Sequence, residues 1–92
     1  MTYVYLIESV HEPQRHYVGV TTDLKNRLKD HNAGASPHTA KHRPWNLVAY
    51  FAFAEEKTAF AFERYLKSGS GKAFLHKRLL HPPRSISDAP RV

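Results

Sequence analysis

Two short runs of β-branched and aromatic residues near the N-terminus place the strongest constraint on the fold of this chain. The runs Tyr3-Val4-Tyr5-Leu6-Ile7 and Tyr17-Val18-Gly19-Val20 have strand composition, and a polar stretch over residues 9–15 separates them. Because successive side chains of a strand point to opposite faces, the pattern predicts a hairpin with two different faces. The apolar face holds Val4, Leu6, Val18 and Val20. The other face holds Tyr3, Tyr5, Tyr17 and Gly19.

The apolar face supplies a core without the tyrosines, so we expect the tyrosine face to be free for another role. A helix is predicted next, with Thr22 as its N-cap and Gly34 as its C-terminal cap. Arg27 and His31 are one turn apart on this helix, beside its leucines. We therefore expect both side chains to face the sheet and not bulk water.

The rest of the chain predicts three more elements after a polar, basic loop. The loop covers residues 35–44, and it is followed by a strand over 46–54, a helix over 55–68 and a short helix over 71–80. The order β-β-α-β-α-α predicts an α+β fold that resembles an α/β sandwich. We expect a small, three-stranded, mainly antiparallel sheet flanked by about three helices.

Length and composition fit one small soluble domain. The 92 residues suffice for one modest core, and we expect residues 1–81 to form the domain and residues 82–92 a loose basic tail. There is no cysteine, which excludes disulfides and thiolate metal sites. We see no signal-peptide pattern and no run of membrane-spanning length, so we expect a cytoplasmic protein without a membrane partner.

The positive charge is confined to one half of the chain. Residues 1–40 hold four Lys or Arg and four Asp or Glu, whereas residues 41–92 hold ten against four and supply the whole net charge of +6. Such asymmetry favours a surface that faces a polyanion, most simply nucleic acid. Basic residues that only keep the protein soluble are the alternative reading.

Several motifs in this order resemble the GIY-YIG nuclease superfamily. Tyr3-Val4-Tyr5 and Tyr17-Val18-Gly19 look like its paired signature, and residues 23–31 resemble its first helix. Residues 59–68 are similar to the helix that holds its acidic residue. Thr39, with the basic stretch that ends at Trp45, resembles a small stand-alone bacterial branch that is like the UvrC N-terminal domain. The resemblance covers roughly residues 2–80.

This resemblance implies a catalytic role for four residues and a metal-binding role for a fifth. Tyr5 and Tyr17 would match the two motif tyrosines, and one of them, with Tyr5 favoured, would activate or orient the attacking water. Arg27 would neutralise the scissile phosphate. His31 would hydrogen-bond within the tyrosine network. Glu63 would hold a single divalent ion, Mg²⁺ or Mn²⁺, which needs few protein oxygens. A phenol is a poor base at neutral pH unless cationic neighbours lower its pKa, and Arg27, His31 or the metal would do so.

The basic residues of the second half would grip the nucleic-acid backbone. They are Lys41, Arg43, Arg64, Lys67, Lys72, Lys77 and Arg78. Backbone contacts carry no base information, so we expect selection by structure more than by sequence.

Two positions leave alternatives open. Many members have a late asparagine, but none follows Asn46 here, and Ser68, Ser70 or Lys67 are the candidates for its role. Glu63 and Lys67 are also spaced i, i+4, which is typical of a helix salt bridge.

The sequence thus favours a metal-dependent endonuclease that cleaves nucleic acid. DNA is the favoured substrate, RNA is the alternative, and DNA repair is the expected context. A nucleic-acid-binding module that has lost cleavage is the main rival, and a basic scaffold with a protein partner is a third interpretation. Protein partners are not predicted by any feature of the chain.

Overall fold

A computed structural model describes residues 1–80, and the expected basic tail lies outside them. Its sheet has three strands, β1 (Thr2–Ser9), β2 (His16–Thr21) and β3 (Trp45–Phe53). The strand order is β2-β1-β3, and both pairings are antiparallel. The predicted α+β fold with a three-stranded antiparallel sheet is therefore confirmed.

Four α-helices flank the sheet. They are α1 (Leu24–Ala33), α2 (Pro37–Ala40), α3 (Glu56–Leu66) and α4 (Gly69–Phe74), and a π-helical segment, Leu75–Leu79, continues α4. The predicted loop over residues 35–44 thus contains one short helix, which begins with a proline at its first turn. None of the helices in this part of the chain is long and apolar enough to cross a membrane.

Helix α1 is capped one residue later than expected. Asp23, not Thr22, is the N-cap, because its carboxylate accepts a hydrogen bond from the backbone N–H of Asn26 at 3.2 Å. The helix ends as predicted at Gly34, which has a φ of 81° and so adopts the left-handed conformation.

The two faces of the sheet are covered by different helices. One core consists of Val4, Leu6 and Val18 of the sheet packed against Ala59, Leu66 and Leu75 of α3 and the π-helical segment. The second core consists of Tyr5, Ile7 and Trp45, with Tyr17 and the two leucines of α1 packed against it. Helices α1 and α3 therefore lie on opposite faces of the sheet.

This packing corrects the expectation that the tyrosine face is free. Tyr5 is only 2% exposed because α1 covers its face of the sheet. Tyr17 is half-buried beside it. The tyrosines thus belong to a core as well as to a candidate site.

Candidate active site

The hairpin brings Tyr5 and Tyr17 together on one face, as predicted. Tyr5 pairs across the two strands with Gly19, and the rings of Tyr5 and Tyr17 are 6.4 Å apart. A Cβ atom at Gly19 would collide with the hydroxyl group of Tyr5. Glycine at this position therefore gives the phenol the space in which it lies.

A buried chain of hydrogen bonds extends from Tyr5. Its hydroxyl lies 2.7 Å from Nε2 of His31, and Nδ1 of His31 lies 2.6 Å from Oγ1 of Thr39. Trp45 Nε1 donates to the Thr39 carbonyl at 2.9 Å, which fixes the end of the chain. His31 and Thr39 are each only 1% exposed. His31 thus occupies the predicted position within the tyrosine network.

Thr39 is a site residue that the sequence interpretation placed only in a basic loop. A buried neutral histidine has one donor and one acceptor nitrogen, and both need partners. Tyr5 satisfies one nitrogen, so the other nitrogen needs a second polar partner. Short helix α2 supplies it, and that local structure was not predicted.

The pKa of Tyr5 moves against expectation. Burial is the main cause that raises it well above its ordinary value, Tyr17 and Glu63 raise it further, and the Arg27 charge opposes the rise. The Arg27 charge therefore does not overcome the effect of burial on the pKa of Tyr5. The phenol remains protonated and acts as a fixed hydrogen-bonding group.

The pKa of His31 is lowered, so its ring is neutral near pH 7. Burial is the main cause, the Arg27 charge adds to it, and Asp30 opposes both. A neutral ring pairs with the Tyr5 hydroxyl without placing a charge in the core. The Tyr5–His31–Thr39 chain is therefore uncharged as well as buried.

Arg27 is exposed, which corrects the expectation that it faces the sheet. Its charge nevertheless acts on the pKa of both Tyr5 and His31, and it lies one helical turn before His31 on α1. Within residues 1–80 its guanidinium forms neither a hydrogen bond nor an ion pair. It is thus available to an anion from solvent.

Glu63 approaches the site from the other face of the sheet. Its carboxylate pairs with Lys67 at 2.8 Å, which is the helix salt bridge that the i, i+4 spacing indicated. The Lys67 ammonium also lies 5.9 Å from the centre of the Tyr17 ring. Because Tyr17 is on edge strand β2, the Glu63–Lys67 pair lies next to Tyr17 at that edge of the sheet.

Residues 1–80 contain no cluster of three or more His, Cys, Asp or Glu side chains that would form a metal cage. A single carboxylate still fits a hard divalent ion that retains most of its water. Only one carboxylate oxygen of Glu63 bonds to Lys67, whose side chain is 51% exposed and free to move. The donor set therefore fits Mg²⁺ or Mn²⁺ better than a metal that requires several protein ligands.

The predicted backbone-binding residues are all exposed, and they come from two parts of the chain. Two lie in the loop that leads to β3, where Arg43 donates to the Ala40 carbonyl at 3.2 Å. The other five follow the α3 side of the sheet, namely Arg64, Lys67, Lys72, Lys77 and Arg78. Among the basic residues, Lys67 is next to the tyrosines.

The structure also distinguishes the three candidates for the missing asparagine. Ser68 caps α4, since its hydroxyl accepts from the Gly71 N–H and donates to the Tyr65 carbonyl. Ser70 is exposed in α4. Lys67 lies beside Glu63 and Tyr17, so it is the candidate at the site.

A cleft of about 420 Å³ opens next to this site, between β2 and the helices of the other face. Tyr17 and Lys67 line both the cleft and the candidate site. Its remaining walls come from Gln14, His16, Val18, Leu66, Lys72, Leu75, His76 and Leu80. The sequence interpretation did not predict the cleft, because its walls come from distant parts of the chain.

Comparison with known proteins gives a consistent set of relatives. Structure-specific endonuclease subunit SLX1 of Candida dubliniensis is 37% identical over 71 residues, which are 70% of this chain and 25% of that protein. A UPF0213 protein of Streptococcus pyogenes is 38% identical over 66 residues, 71% of this chain and 70% of that protein. The chain spans about a quarter of the length of the SLX1-type relatives that it matches.

A solved structure and a family model also match this chain. The solution structure of a UPF0213 protein from Bacillus halodurans is 34% identical, with 82% of each chain covered and a TM-score of 0.49. The family described as the GIY-YIG catalytic domain matches residues 1–77. These residues include both tyrosine strands, the Arg27 and His31 helix and the Glu63 helix, and the protein therefore belongs to the GIY-YIG family.

Proposed function

We propose that this protein is an endonuclease that hydrolyses phosphodiester bonds in nucleic acid with the help of one divalent ion. The observation that supports it most is the position of Arg27. An exposed guanidinium without a partner in residues 1–80 lies where its charge reaches the buried Tyr5–His31 pair. A phosphate bound there meets a cation and a phenol of fixed orientation, which is a preorganised setting for charge stabilisation.

Each site residue then has one task. Arg27 binds the scissile phosphate and neutralises the negative charge that grows on it in the transition state. Tyr17, the more accessible phenol, orients the attacking water. Tyr5 is held by His31 and supports the position of Tyr17. Glu63 would hold the Mg²⁺ or Mn²⁺ ion, which when bound supplies Lewis-acid stabilisation at the phosphate.

Tyr5 acts in this scheme as a neutral group. Its raised pKa keeps the proton on the phenol at neutral pH, so it contributes orientation and not base catalysis. The hydrogen bond to His31 and the absence of a side chain at Gly19 together set that orientation. This role differs from the activated phenol that the sequence interpretation considered.

DNA is the favoured substrate, chosen by its structure. The exposed basic residues along α3 and α4 offer contacts to phosphates, which position a backbone without reading bases. The name of the Candida relative, a structure-specific endonuclease subunit, supports selection by structure. RNA remains the alternative, to be decided by experiment.

The experiment is cleavage of supercoiled, branched and single-stranded DNA, and of RNA, with Mg²⁺ or Mn²⁺ present. We expect Arg27→Ala to lower the rate about 100- to 1,000-fold, the usual cost of losing a group that stabilises transition-state charge. Lys29→Ala is the matched control, because it removes one positive charge from the same helix outside the site. Glu63→Gln and Tyr5→Phe should also lose rate. The proposal fails if wild type cleaves none of these substrates, or if Glu63→Gln cleaves as fast as wild type.

A nucleic-acid-binding module without cleavage is the second candidate. The observation that favours it is the salt bridge between Glu63 and Lys67, which occupies the only carboxylate assigned to the metal. Calorimetric titration of the protein with Mn²⁺ separates the two functions. Binding that is lost in Glu63→Gln supports the nuclease, and no Mn²⁺ binding by wild type supports the module.

A further inference from the structure

We infer that the cleft beside Tyr17 is a subsite for one unpaired nucleotide, with the base in the cleft and a neighbouring phosphate at its lysines. This inference rests on the proposed function, because it assigns the substrate feature that the same site selects. The position of the cleft is the first reason. Tyr17 and Lys67 line both the cleft and the candidate active site, so the two are adjacent.

The size of the cleft is the second reason. Its volume of about 420 Å³ lies in the range of sites that enclose a single small molecule. A base within a duplex is stacked and paired, so it enters such a cavity only when it leaves the helix. A cleft of this size therefore has room for the base of one extrahelical or single-stranded nucleotide.

The chemistry of the walls is the third reason. Val18, Leu66 and Leu75 form an apolar inner surface, which suits the faces of a nucleobase. Lys67 and Lys72 are exposed and lie at the rim, where a phosphate on either side of that base would be. An apolar interior with a cationic rim matches a nucleotide, which has a flat base and an anionic backbone.

The charge of the cleft also fits this occupant. No described residue that lines it is a carboxylate, and two histidines, His16 and His76, add donors to its walls. His16 is held by Glu8 at 3.0 Å, so its ring has a fixed orientation. Lys67 is paired with Glu63, so Lys72 is the lysine of the cleft without a carboxylate partner among the described residues, and the histidines offer hydrogen bonds to a polar base edge.

Selection of structure follows from this arrangement. A strand whose unpaired base fills the cleft carries its backbone past Tyr17 toward Arg27. A fully paired strand lacks that anchor and gains only the phosphate contacts. Substrates with a flipped, bulged or single-stranded nucleotide are thus favoured over plain duplex, whatever the identity of the other bases.

The test measures binding apart from cleavage. Full-length Glu63→Gln protein is titrated by fluorescence anisotropy with three DNA duplexes of equal length. The first has one extra unpaired nucleotide, the second has an abasic nucleotide at that position, and the third is fully paired. Contact of one base with a protein surface contributes favourably to the free energy of binding. We therefore expect the duplex with the unpaired nucleotide to bind at least about fivefold more tightly than the duplex with the abasic nucleotide.

Charge reversal then locates the site. Lys72→Glu should weaken binding of the duplex with the unpaired nucleotide, because it removes a cation from the rim where the neighbouring phosphate would lie. Lys57→Glu is the matched control, since it makes the same charge change near the start of α3, at the opposite end of that helix from the cleft. We expect the control to weaken binding of the same duplex much less than Lys72→Glu does. Thermal unfolding of each variant verifies that it is folded.

Two results would overturn the inference. Equal affinity for the unpaired base and the abasic nucleotide would mean that no base enters a pocket. Equal weakening of binding by Lys72→Glu and Lys57→Glu would place the nucleotide elsewhere. Neither result bears on cleavage by the wild type, and a wild type that fails to cleave leaves the binding ratio intact, so the two proposals fail separately.

Discussion

The two faces of the sheet have different kinds of core. The buried cluster on the α3 face consists of apolar side chains, whereas the α1 face buries His31 and Thr39 beside Tyr5 and Trp45. No buried side-chain nitrogen or oxygen in residues 1–80 lacks a hydrogen-bond partner. The buried polar groups of the α1 face are therefore hydrogen-bonded, whereas the cluster on the α3 face depends on the packing of apolar side chains.

This difference indicates a division of labour. Apolar burial depends on area and packing, so it stabilises the fold but fixes no hydrogen-bonding direction. A hydrogen bond depends on distance and angle, so the polar face fixes the orientation of Tyr5. The candidate site lies on the face that can orient a group, and the opposite face holds that arrangement in place.

The largest effect should come from breaking the apolar face. Leu6 is 1% exposed on the central strand, and Leu6→Ala should lower the free energy of unfolding by about 2–5 kcal/mol. The cause is lost burial together with the cavity that remains. Urea titration measures the change. Leu47→Ala, at an exposed leucine of β3, is the control and should cost far less; similar costs for the two would contradict this comparison.

A smaller effect is expected from crowding the polar face. Gly19→Ala places a methyl group against the Tyr5 hydroxyl, and we expect a loss of about 1–3 kcal/mol in stability because the buried ring must move from His31. Cleavage should fall more than stability explains. Gly69→Ala is the control, since no atom lies within 4 Å of its new methyl group. Equal behaviour of the two variants would exclude the steric role of Gly19.

Acid should affect the polar face next. The pKa of folded His31 lies below the ordinary value, so the unfolded chain binds its proton first as the pH falls. The contribution of His31 to the free energy of unfolding is therefore fully present above about pH 6.5. As the pH falls below that value, the free energy of unfolding decreases by at most about 1.4 kcal/mol per pH unit. Unfolding free energies measured on both sides of that pH give the slope. His31→Gln should flatten it, and His38→Gln, at an exposed histidine of α2, should not.

The smallest effect on stability should come from the edge where the faces meet. Lys67→Met removes a half-exposed i, i+4 ion pair with Glu63, and such pairs contribute about 0.2–0.5 kcal/mol. Thermal unfolding should therefore shift little. A loss of stability as large as that of Gly19→Ala would mean that the Glu63–Lys67 ion pair stabilises the fold more than an exposed pair does. Lys57→Met, at another exposed lysine of α3, is the control.

Much of the fold was predictable because local signals agreed with it. Strand composition located all three strands, and Gly34 marked the end of α1. The short helix α2 was not predicted, since its four residues follow a proline in a segment that looks like a loop. The N-cap moved from Thr22 to Asp23 because the two residue types have similar preference for that position.

The candidate site was predictable in its members and not in its chemistry. Tyr5, Tyr17, Arg27, His31 and Glu63 are recognisable from motif and spacing. The raised pKa of Tyr5 could not be predicted from the sequence, because it depends on how deeply α1 buries the ring. Thr39 was placed only in a loop, since a hydrogen bond across eight residues depends on a helix whose presence the sequence did not reveal.

The sequence by itself determined which side chains share a face. Strand alternation is a local property of the backbone, so it put Tyr5, Tyr17 and Gly19 together and Val4, Leu6 and Val18 on the other side. Only the tertiary structure decided what covers each face. The covering of each face depends on packing between segments that are far apart in sequence. This packing placed His31 next to Tyr5 and Lys67 next to Tyr17. It also formed the cleft, whose walls come from the hairpin and the last helices.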